Sequence, residues 1–461
     1  MNKHNKSRSS FSGKIGYVLA AAGASVGLGN IWRFPYLAAK YGGGIFLLIY
    51  ILLALTFGYS MIVAESAIGR MTRKSPVGAF QSFGKSRWLS AGGWINAIIP
   101  ILIVPYYSVI GGWVIKYLIE YVKGNSTLLA EDGYFSGFIS NGVSTELCFA
   151  VFCLITVAII YAGVRNGIER VSKVMMPILI VLSVIIAVYS VTRPGALAGV
   201  KYFLVPNLKN FSWMSVVAAM GQMFYSLSIA MGILITFGSY MKKDTSIEDS
   251  TRNVEIFDTA IAIMAGLMII PAVFAFSGGN PDTLQAGPSL MFITIPKVFA
   301  NMGFGTVIGI LFFLLVLFAA LTSSIALTES AVSTFEDELG WGRKKSTVLI
   351  GVIMITLGTL SLPWLRTVFL RHHSWHAVPG FLRLPDKLRN DANCCHCHLS
   401  SRFESHRCGK NRGRNHPWRE PLPQKENLSC HDPVSLPGVC TDHSVQFRGK
   451  CIRLDHHVMN L

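Results

Sequence analysis

Long apolar blocks with almost no charged residues recur along this chain and constrain its fold more than any other feature. Crossing about 30 Å of hydrocarbon takes a helix of about 20 apolar residues. Blocks of about this length lie at 14–39, 43–69, 93–122, 147–163, 171–191, 214–240, 254–276, 305–333 and 346–362. Only 14% of the residues are charged, against roughly 25% in soluble domains. The sequence therefore predicts an all-α polytopic membrane protein with nine transmembrane helices.

Basic residues between these blocks indicate which side each loop faces. Lys and Arg cluster at the N-terminus and after each even-numbered block, in "MNKHNKSR" (1–8), "GRMTRK" (69–74), "VRNGIERVSK" (164–173), "MKKD" (241–244) and "GRKK" (342–345). Because cytoplasmic loops are enriched in Lys and Arg, we expect a multi-pass protein of the inner (plasma) membrane with a cytoplasmic N-terminus. The net charge of +17 is then explained by basic cytoplasmic loops of a protein embedded in membrane lipid. Nucleic acid is not an expected partner.

The composition changes abruptly after Pro363. Seven of the nine Cys and eleven of the twelve His lie from residue 365 onward, together with 15 Lys and Arg against 8 Asp and Glu. A basic segment after an odd number of spans opposes the charge bias of the other loops. We therefore expect 364–461 to be an aberrant, frameshifted tail outside the membrane. Its "CCHCH" run (394–398) has residue types that suit zinc but lacks the paired spacing of structural zinc sites, so no zinc site is predicted.

Two of the apolar blocks are interrupted by small residues that weaken a helix, "GASVGLG" at 23–29 and "YSLSIAMG" at 225–232. One interpretation is close helix packing, which small residues permit in membranes. The other is a broken helix, which persists in a membrane only where it is buried in protein or lines a wet cavity. The interruptions lie five spans apart, at corresponding positions of two halves. This spacing favours a transporter built from inverted repeats.

The same stretches resemble a known family. "GASVGLGNIWRFPYLAAKYGGGIFLLIY" (23–50) resembles the first span of the neurotransmitter:sodium symporter family and especially its bacterial amino acid transporters. "GQMFYSLSIAMG" (221–232) resembles the sixth span and "AALTSSIAL" (319–327) the eighth. The resemblance covers about residues 8–363 and implies inverted five-helix repeats with broken spans 1 and 6. The implied divisions are a cytoplasmic gate segment (1–13), a first repeat with spans 1–5 (14–191), an extracellular loop (192–213) and an incomplete second repeat with spans 6–9 (214–362).

The resemblance implies sodium-coupled symport of an amino acid by alternating access, with Na⁺ bound at two sites. Family members have eleven or twelve spans, so this chain is expected to lack the tenth onward, a loss that could leave it non-functional. The first sodium site would comprise Ser25, Asn30, Ser226 and Asp258. Asn253, or Pro271 with a one-residue gap, are the alternatives to Asp258. We prefer Asp258 because a buried carboxylate offsets the charge of a cation, a task that chloride performs in animal members, and we predict chloride-independent transport.

The remaining ligands follow from the same resemblance. The second sodium site would comprise the carbonyls of Gly23, Val26 and Ala319 and the hydroxyls of Thr322 and Ser323. Without the resemblance, these hydroxyls would be expected to bond back to the preceding helical turn. The substrate would meet the amides of Leu28 and Gly29, the hydroxyl of Tyr107, the carbonyls of Ala24, Tyr225 and Ser228, and a pocket of Ile103, Tyr225, Ser228, Met231, Ser323 and Leu327. This mostly apolar lining with a flexible Met favours a small hydrophobic or aromatic amino acid.

Residues at both ends of the bundle match the gates of the family. Arg8, Phe11, Ser239, Tyr240 and Asp337 match the cytoplasmic gate, in which an Arg and an Asp form an ion pair. Arg33 matches the outer gate, whose acidic partner would lie on a missing span. "GIERVSKVMMP" (167–177) matches the Gly-x₉-Pro element of span five, where a helix is able to unwind.

Two other functional classes are compatible with the membrane composition. An ion channel would need a continuous polar pore with rings of like residues, which the sequence does not contain. A membrane sensor or scaffold would use the "CCHCH" tail as a metal-binding element. The sequence contains no arrangement of nucleophile and base and no phosphate-binding loop, so an enzyme is not predicted.

Overall fold

The computed structural model describes residues 9–278, 287–371, 438–440, 444–447 and 450–453. The chain forms two compact units, Met1–His376 and Ala377–Leu461, and each is described by itself. The described part of the first unit is helical, whereas that of the second is a small sheet. The predicted all-α polytopic class therefore holds for the membrane unit.

The helices of the first unit follow the order of the apolar blocks. They are α1 (Lys14–Ser25), α2 (Phe34–Lys40), α3 (Gly44–Leu53), α4 (Tyr59–Thr72), α5 (Pro76–Gln81), α6 (Arg87–Val122), α7 (Ser126–Leu129), α8 (Tyr134–Ser140), α9 (Gly142–Tyr161), α10 (Arg170–Val191), α11 (Ala196–Leu204), α12 (Trp213–Ser226), α13 (Ile233–Ser239), α14 (Ile247–Ser277), α15 (Ile295–Ala300), α16 (Gly305–Leu339) and α17 (Arg343–Arg371). Short π-helical segments lie at Gly29–Arg33, Ala54–Gly58, Val164–Glu169 and Leu290–Thr294, and a 3₁₀ turn lies at Leu208–Asn210.

Within the described residues, seven helical segments are long and apolar enough to cross a membrane. A bent pair, α1 with Gly29–Lys40, brings the number to eight when it is counted as one span, and its two halves meet at 51°. The sixth predicted span, 214–240, is not one helix, because α12 has 14 residues and α13 has 7. Residues 227–232 between them are not helical. Both interruptions expected from the small residues are therefore breaks in a helix.

Small residues let α13, the second half of the broken sixth span, pack closely against α4. A Cβ atom added to Gly69 of α4 would overlap the Ile235 carbonyl of α13. One added to Gly238 of α13 would lie 2.5 Å from the Ser66 carbonyl oxygen of α4. These glycines bring the two backbones into direct contact, as small residues do between membrane helices. The packing and the backbone break thus occur in the same span, and the two interpretations of its small residues are not exclusive.

Some segments between the predicted spans, and the end of the last span, differ from what the sequence predicts. The 192–213 loop contains α11, and α15 lies in the segment before α16, where no helix was predicted. The helix α17 continues through Arg371, although its apolar, span-length part ends at Pro363, and the domain boundary at that residue stays a prediction. A single Pro removes one backbone N–H, and here it does not end the helix.

The second unit contains a three-stranded antiparallel sheet in the order β1-β2-β3. Its strands are β1 (Gly438–Cys440), β2 (Ser444–Phe447) and β3 (Lys450–Arg453). Val445 of the central strand lies opposite Val439 on one side and Ile452 on the other. The "CCHCH" run at 394–398 lies outside the described residues.

Candidate functional site

The two helix breaks contact each other directly. The Ser228 hydroxyl donates a hydrogen bond to the Ala24 carbonyl at 3.3 Å, so the unwound part of the sixth span lies against the end of α1. Ser228 and Ala230 have φ angles of 55° and 60°, a left-handed conformation that residues with a side chain rarely adopt. Such strained backbone clusters at binding sites, and here it leaves backbone polar groups outside a helix.

A cavity lies between these breaks, α6 and α16. It contains about 390 Å³ of empty space, including space open to solvent. It is lined by Ala24, Ser25, Gly27, Leu28, Gly29, Asn30, Ile103, Tyr107, Tyr225, Ser228, Met231, Ile233, Ser323 and Leu327. All ten residues predicted for the substrate site are among them, as are two predicted for the first sodium site. The structure thus gathers these residues at one place, and their roles stay predictions.

At two positions of the first break, glycine is required because side chains of other helices approach its Cα closely. A Cβ atom on Gly27 would lie 2.5 Å from Ser323 Oγ and 3.1 Å from the Tyr107 hydroxyl. A Cβ atom on Gly29 would lie 2.5 Å from the Tyr225 ring. Next to them, the Leu28 N–H donates to the Tyr107 hydroxyl at 3.3 Å. The glycines therefore leave the backbone amides of the break exposed to the cavity side chains.

Asp258 of α14 forms the centre of a buried polar cluster. The Asn30 side-chain amide donates to Oδ1 at 2.8 Å, and the Ser226 hydroxyl lies 2.8 Å from Oδ2 and 2.9 Å from Oδ1. Of the three candidates on the seventh span, it is Asp258 whose side chain contacts these predicted ligands. Ser25, the fourth predicted ligand, lines the cavity, but its hydroxyl donates to the Ala21 carbonyl one turn back, at 3.2 Å.

Sequence reasoning missed two polar neighbours of this cluster. The Tyr50 hydroxyl donates to Asp258 Oδ2 at 3.0 Å, and Tyr50 is fully buried. Gln222 Nε2 donates to the Gly29 carbonyl at 3.1 Å, and its Oε1 has no hydrogen-bond partner among the described residues. In the sequence, each of these residues is only a lone hydroxyl or amide within an apolar block. Such a pattern indicates a buried polar group but does not identify its hydrogen-bond partner.

A second polar cluster joins α16 to the end of α1. The Ser323 hydroxyl lies 3.4, 3.2 and 3.3 Å from the carbonyl oxygens of Gly23, Ala24 and Val26. The Thr322 hydroxyl lies 3.0 Å from the Phe318 carbonyl and 3.2 Å from that of Ala319. All five residues predicted for the second sodium site are therefore close together. A hydroxyl has one proton, so Ser323 cannot satisfy three carbonyls at once.

Glu65 of α4 is a further buried carboxylate that the sequence did not reveal. Its Oε1 accepts a hydrogen bond from the Ala230 N–H at 2.7 Å, and its Oε2 has no hydrogen-bond partner among the described residues. This bond gives an unwound backbone amide of the sixth span a partner inside the protein. Glu65 therefore helps to hold the strained backbone next to the cavity.

The predicted cytoplasmic gate residues lie near one another, apart from Arg8, which lies outside the described residues. Phe11 donates its backbone N–H to the Tyr240 carbonyl at 3.1 Å, and their rings make an edge contact with centroids 6.0 Å apart. The Ser239 carbonyl accepts from Arg73, and Asp337 accepts from the Ser75 N–H. The predicted pair of Arg8 with Asp337 stays a prediction.

An ion pair near the same end was not predicted. Arg343 donates two hydrogen bonds to Glu329, at 2.9 and 2.6 Å. Glu329 also accepts a hydrogen bond from the Tyr240 hydroxyl at 2.7 Å. Tyr240, a predicted gate residue, is thereby held by a bidentate pair, a geometry that fixes side chains more firmly than a single bond.

Arg33 stacks on an aromatic ring of the cavity. Its guanidinium lies 5.0 Å from the centre of the Tyr225 ring, a distance typical of a cation–π contact. Its Nε has no hydrogen-bond partner among the described residues. The predicted outer-gate residue thus contacts a predicted substrate residue directly.

The Gly-x₉-Pro segment coincides with a deformed stretch of helix. Residues Val164–Glu169 form a π-helical turn before α10, and π turns often mark functional positions. A side chain at Gly167 would overlap the Ile159 carbonyl. Met176 of the same segment lies beside the second polar cluster, because its Sδ is 3.4 Å from the Cβ position of Gly23. The segment is therefore in contact with that cluster.

The sequence model of the Sodium:neurotransmitter symporter family matches residues 8–128 and 136–368 of this chain. The chain belongs to this family. The match ends beyond Pro363, in agreement with the course of α17. Residues 369–461 lie outside the match, and the frameshift expected there stays a prediction.

Several relatives of this family member are similar over most of its length. The uncharacterized sodium-dependent transporter YhdH of Bacillus subtilis (strain 168) is 38% identical over 76% of this chain and 77% of its own. A sodium-dependent transporter of Haemophilus influenzae is 33% identical over 78% of this chain and 81% of its own. The human sodium- and chloride-dependent GABA transporter 2 is 27% identical over 76% of this chain and 68% of its own. These relatives are transporters. Sodium is the ion that all three names share, and the name of the human relative also includes chloride.

A solved structure has the same fold as this family member. The crystal structure of MhsT in complex with L-phenylalanine has a TM-score of 0.72 and 37% sequence identity to it, and covers 81% of this chain and 84% of that chain. The protein is therefore a multi-pass membrane protein of the sodium-dependent transporter fold.

Proposed function

We propose that this family member is a symporter that couples two sodium ions to the uptake of a hydrophobic or aromatic amino acid by alternating access. The observation that carries this proposal is one cavity lined by both helix breaks, with the Asp258 cluster and the Ser323 cluster contacting the same broken first span. Unwound carbonyls suit a cation and free amides suit a carboxylate. One cavity therefore offers the groups that both kinds of solute need.

The cavity suits a zwitterion with an apolar side chain. Its carboxylate would meet the amides of Leu28 and Gly29 and the Tyr107 hydroxyl, and its amino group would meet carbonyls near Ala24, Tyr225 and Ser228. Ile103, Met231 and Leu327 supply apolar lining, and Met adapts to side chains of different shape. The amino acid bound in the MhsT crystal structure is L-phenylalanine, and we extend this substrate class to the present chain.

The first sodium ion would bind at Asp258, Asn30, Ser226 and Ser25. Asp258 is fully buried, and a buried carboxylate is stabilised by a neighbouring cation. Since this carboxylate already supplies a negative charge, chloride is not needed, and transport would be chloride-independent. Oxygen ligands of this kind suit a hard cation.

The second sodium ion would bind at Gly23, Val26, Ala319, Thr322 and Ser323. Three carbonyls converge on one Ser323 hydroxyl, which has one proton to share, so a cation would satisfy the oxygens that the hydroxyl does not. This arrangement is typical of unwound helices that coordinate Na⁺. Sodium and substrate at one cavity would raise each other's affinity, and this coupling drives symport.

Access to the cavity would be controlled at both ends. Phe11, Ser239, Tyr240 and Asp337 would close the inner end and Arg33 the outer end, with unwinding at Gly167–Pro177 opening a path to the second sodium. We place the N-terminus in the cytoplasm and the protein in the inner membrane, on the strength of the basic loops.

Sodium-dependent binding of radiolabelled L-phenylalanine to the purified full-length chain tests this proposal, because binding requires the cavity but not the complete transport cycle. We expect saturable binding in NaCl that is retained in sodium gluconate and lost in choline chloride. Binding that does not depend on sodium would contradict the proposal. Uptake into proteoliposomes under a sodium gradient then tests transport, and non-saturating flux would favour a channel.

The Asp258→Ser variant tests chloride independence. We expect its sodium-dependent binding to be weak in gluconate and restored in part by chloride, which would replace the missing negative charge. Unchanged binding that remains chloride-independent in this variant would show that Asp258 is not the compensating charge. Asp244→Ser, which alters an exposed turn outside the cavity, is the control.

A further inference from the structure

A second cavity lies away from the substrate site, at the end of the helices where basic loops gather. It contains about 1420 Å³ of empty space, including space open to solvent. Its walls come from the end of α4, the segment from α5 to the start of α6, and the start of α14. The lining residues are Ala67, Ile68, Arg70, Met71, Phe80, Phe83, Leu89, Lys243 and Ile247. We call this cavity, defined by these nine residues, the interfacial groove.

The charged side chains that line the interfacial groove are both cations. Arg70 donates a hydrogen bond to the Thr245 carbonyl, and since a guanidinium has five N–H donors, this bond leaves others for a ligand. Lys243 is exposed, and its ammonium has no hydrogen bond or ion pair within the described residues. Asp244 follows it on the same exposed turn but does not line the groove. The groove thus combines seven apolar residues with two positive charges.

Exposed apolar residues place the groove at the level of a membrane surface. Met71 and Phe83 of the lining are 66% and 51% exposed, and Trp88 next to Leu89 is 88% exposed. Trp is enriched at the membrane–water interface, and Lys85 and Arg87 lie close to Trp88 in the sequence. An occupant of the groove therefore meets both cations and hydrocarbon-like side chains.

We propose that the interfacial groove binds an anionic phospholipid. Its phosphate would lie between Arg70 and Lys243, and an acyl chain would lie along Ile68, Phe80 and Leu89. Charge complementarity favours this occupant, because each basic residue near a membrane surface attracts anionic lipid. The N-terminal segment "MNKHNKSR" carries the same sign of charge as the groove and is therefore a poor occupant. This proposal does not rest on the transport function, since lipid binding requires neither sodium nor substrate.

Native mass spectrometry of the purified full-length chain in detergent tests the proposal. The probes are phosphatidylglycerol and phosphatidylcholine with identical acyl chains. We expect phosphatidylglycerol to bind more tightly, and Lys243→Gln to weaken it about fivefold while leaving phosphatidylcholine unchanged. Equal binding of the two lipids to the wild type would overturn the proposal.

Lys242→Gln is the matched control, because it removes the same charge from the adjacent exposed residue, which does not line the groove. We expect this control to retain wild-type phosphatidylglycerol affinity. Equal losses in Lys242→Gln and Lys243→Gln would mean general electrostatic attraction and would overturn the site. Arg70→Gln is a second variant with an expected loss similar to that of Lys243→Gln, and an Arg70→Gln variant with full lipid affinity would also contradict the site.

Phe80→Ser separates a lipid from a soluble anion. Phe80 lines the groove and would contact an acyl chain, so this variant should weaken phosphatidylglycerol binding, and the soluble glycerophosphoglycerol headgroup should compete poorly with the intact lipid. A headgroup that competes as well as the lipid, with no loss in Phe80→Ser, would show that the occupant is a free phosphate ester and would overturn the lipid assignment.

Discussion

The two polar clusters beside the broken first span are built from different chemistry. In the Asp258 cluster, a fully buried carboxylate accepts hydrogen bonds from three side chains. In the Ser323 cluster, a neutral hydroxyl meets three backbone carbonyls of the same broken span. The first cluster therefore offers a cation a formal charge, whereas the second offers it only dipoles. The comparison teaches that one unwound segment can contact both a charged and a neutral polar cluster. Under the proposed function, the binding free energies of the two sodium ions would therefore have different sources.

The largest expected effect tests the charge of the first cluster. Asp258→Asn keeps the shape of the side chain but removes the negative charge, so we expect sodium affinity to fall by about 3 kcal/mol, roughly a hundredfold. The measurement is the sodium concentration that gives half-maximal L-phenylalanine binding. Asp244→Asn on an exposed turn is the control, and it should behave as the wild type. An Asp258→Asn variant with wild-type sodium affinity would remove the distinction between the two clusters.

A smaller effect is expected from the neutral cluster. Ser323→Ala removes one hydroxyl oxygen from a site that has several other oxygens, so we expect sodium affinity to fall about tenfold. Ser324→Ala is the matched control, because Ser324 is also buried on α16 but contacts Thr156 of α9 instead. A loss in Ser323→Ala as large as that in Asp258→Asn would mean that both clusters depend on their oxygens to the same degree.

Tyr50→Phe tests whether a cation takes over the role of a hydrogen-bond donor to Asp258. Without sodium, loss of the Tyr50 hydroxyl leaves the carboxylate with fewer donors, so we expect a loss of stability of about 1.5 kcal/mol. Sodium should reduce this loss, since the cation stabilises the same charge. The measurement is the melting temperature with and without sodium.

Tyr17→Phe is the control for this effect. The Tyr17 hydroxyl is also buried and lies 2.8 Å from the Ser66 hydroxyl, away from both clusters. Its stability loss should be the same with and without sodium. A sodium effect of equal size in Tyr17→Phe and Tyr50→Phe would contradict a specific link between Tyr50 and the cation.

The smallest expected effect is a coupling free energy. Tyr50→Phe and Asp258→Asn alter groups in contact, so their stability losses should be non-additive by about 1 kcal/mol. Tyr50→Phe and Ser323→Ala alter different clusters, and their losses should add within about 0.5 kcal/mol. Melting temperatures of the single and double variants measure both. Strong coupling across the clusters would show that they are one site.

Sequence patterns predicted the parts of this site that depend on local composition. The small residues of 23–29 and 225–232 indicated both breaks, and a resemblance to the family supplied twelve of the fourteen cavity residues. Tyr50 and Glu65 were not predicted as site residues, because a lone polar residue in an apolar block carries no information about its partner. Those partners lie 208 and 165 positions away in the chain.

The apolar blocks by themselves determined that this protein is a bundle of membrane helices, because about 20 apolar residues are what a bilayer requires of a helix. The Gly and Ser residues likewise determined where its backbone is weak. Only the tertiary structure decided which polar groups meet. Asp258 joins Asn30 across 228 positions and Ser323 joins Val26 across 297. Such pairs depend on the rotation of each helix about its axis and on its axial position relative to its neighbours. The packing of the whole bundle sets both.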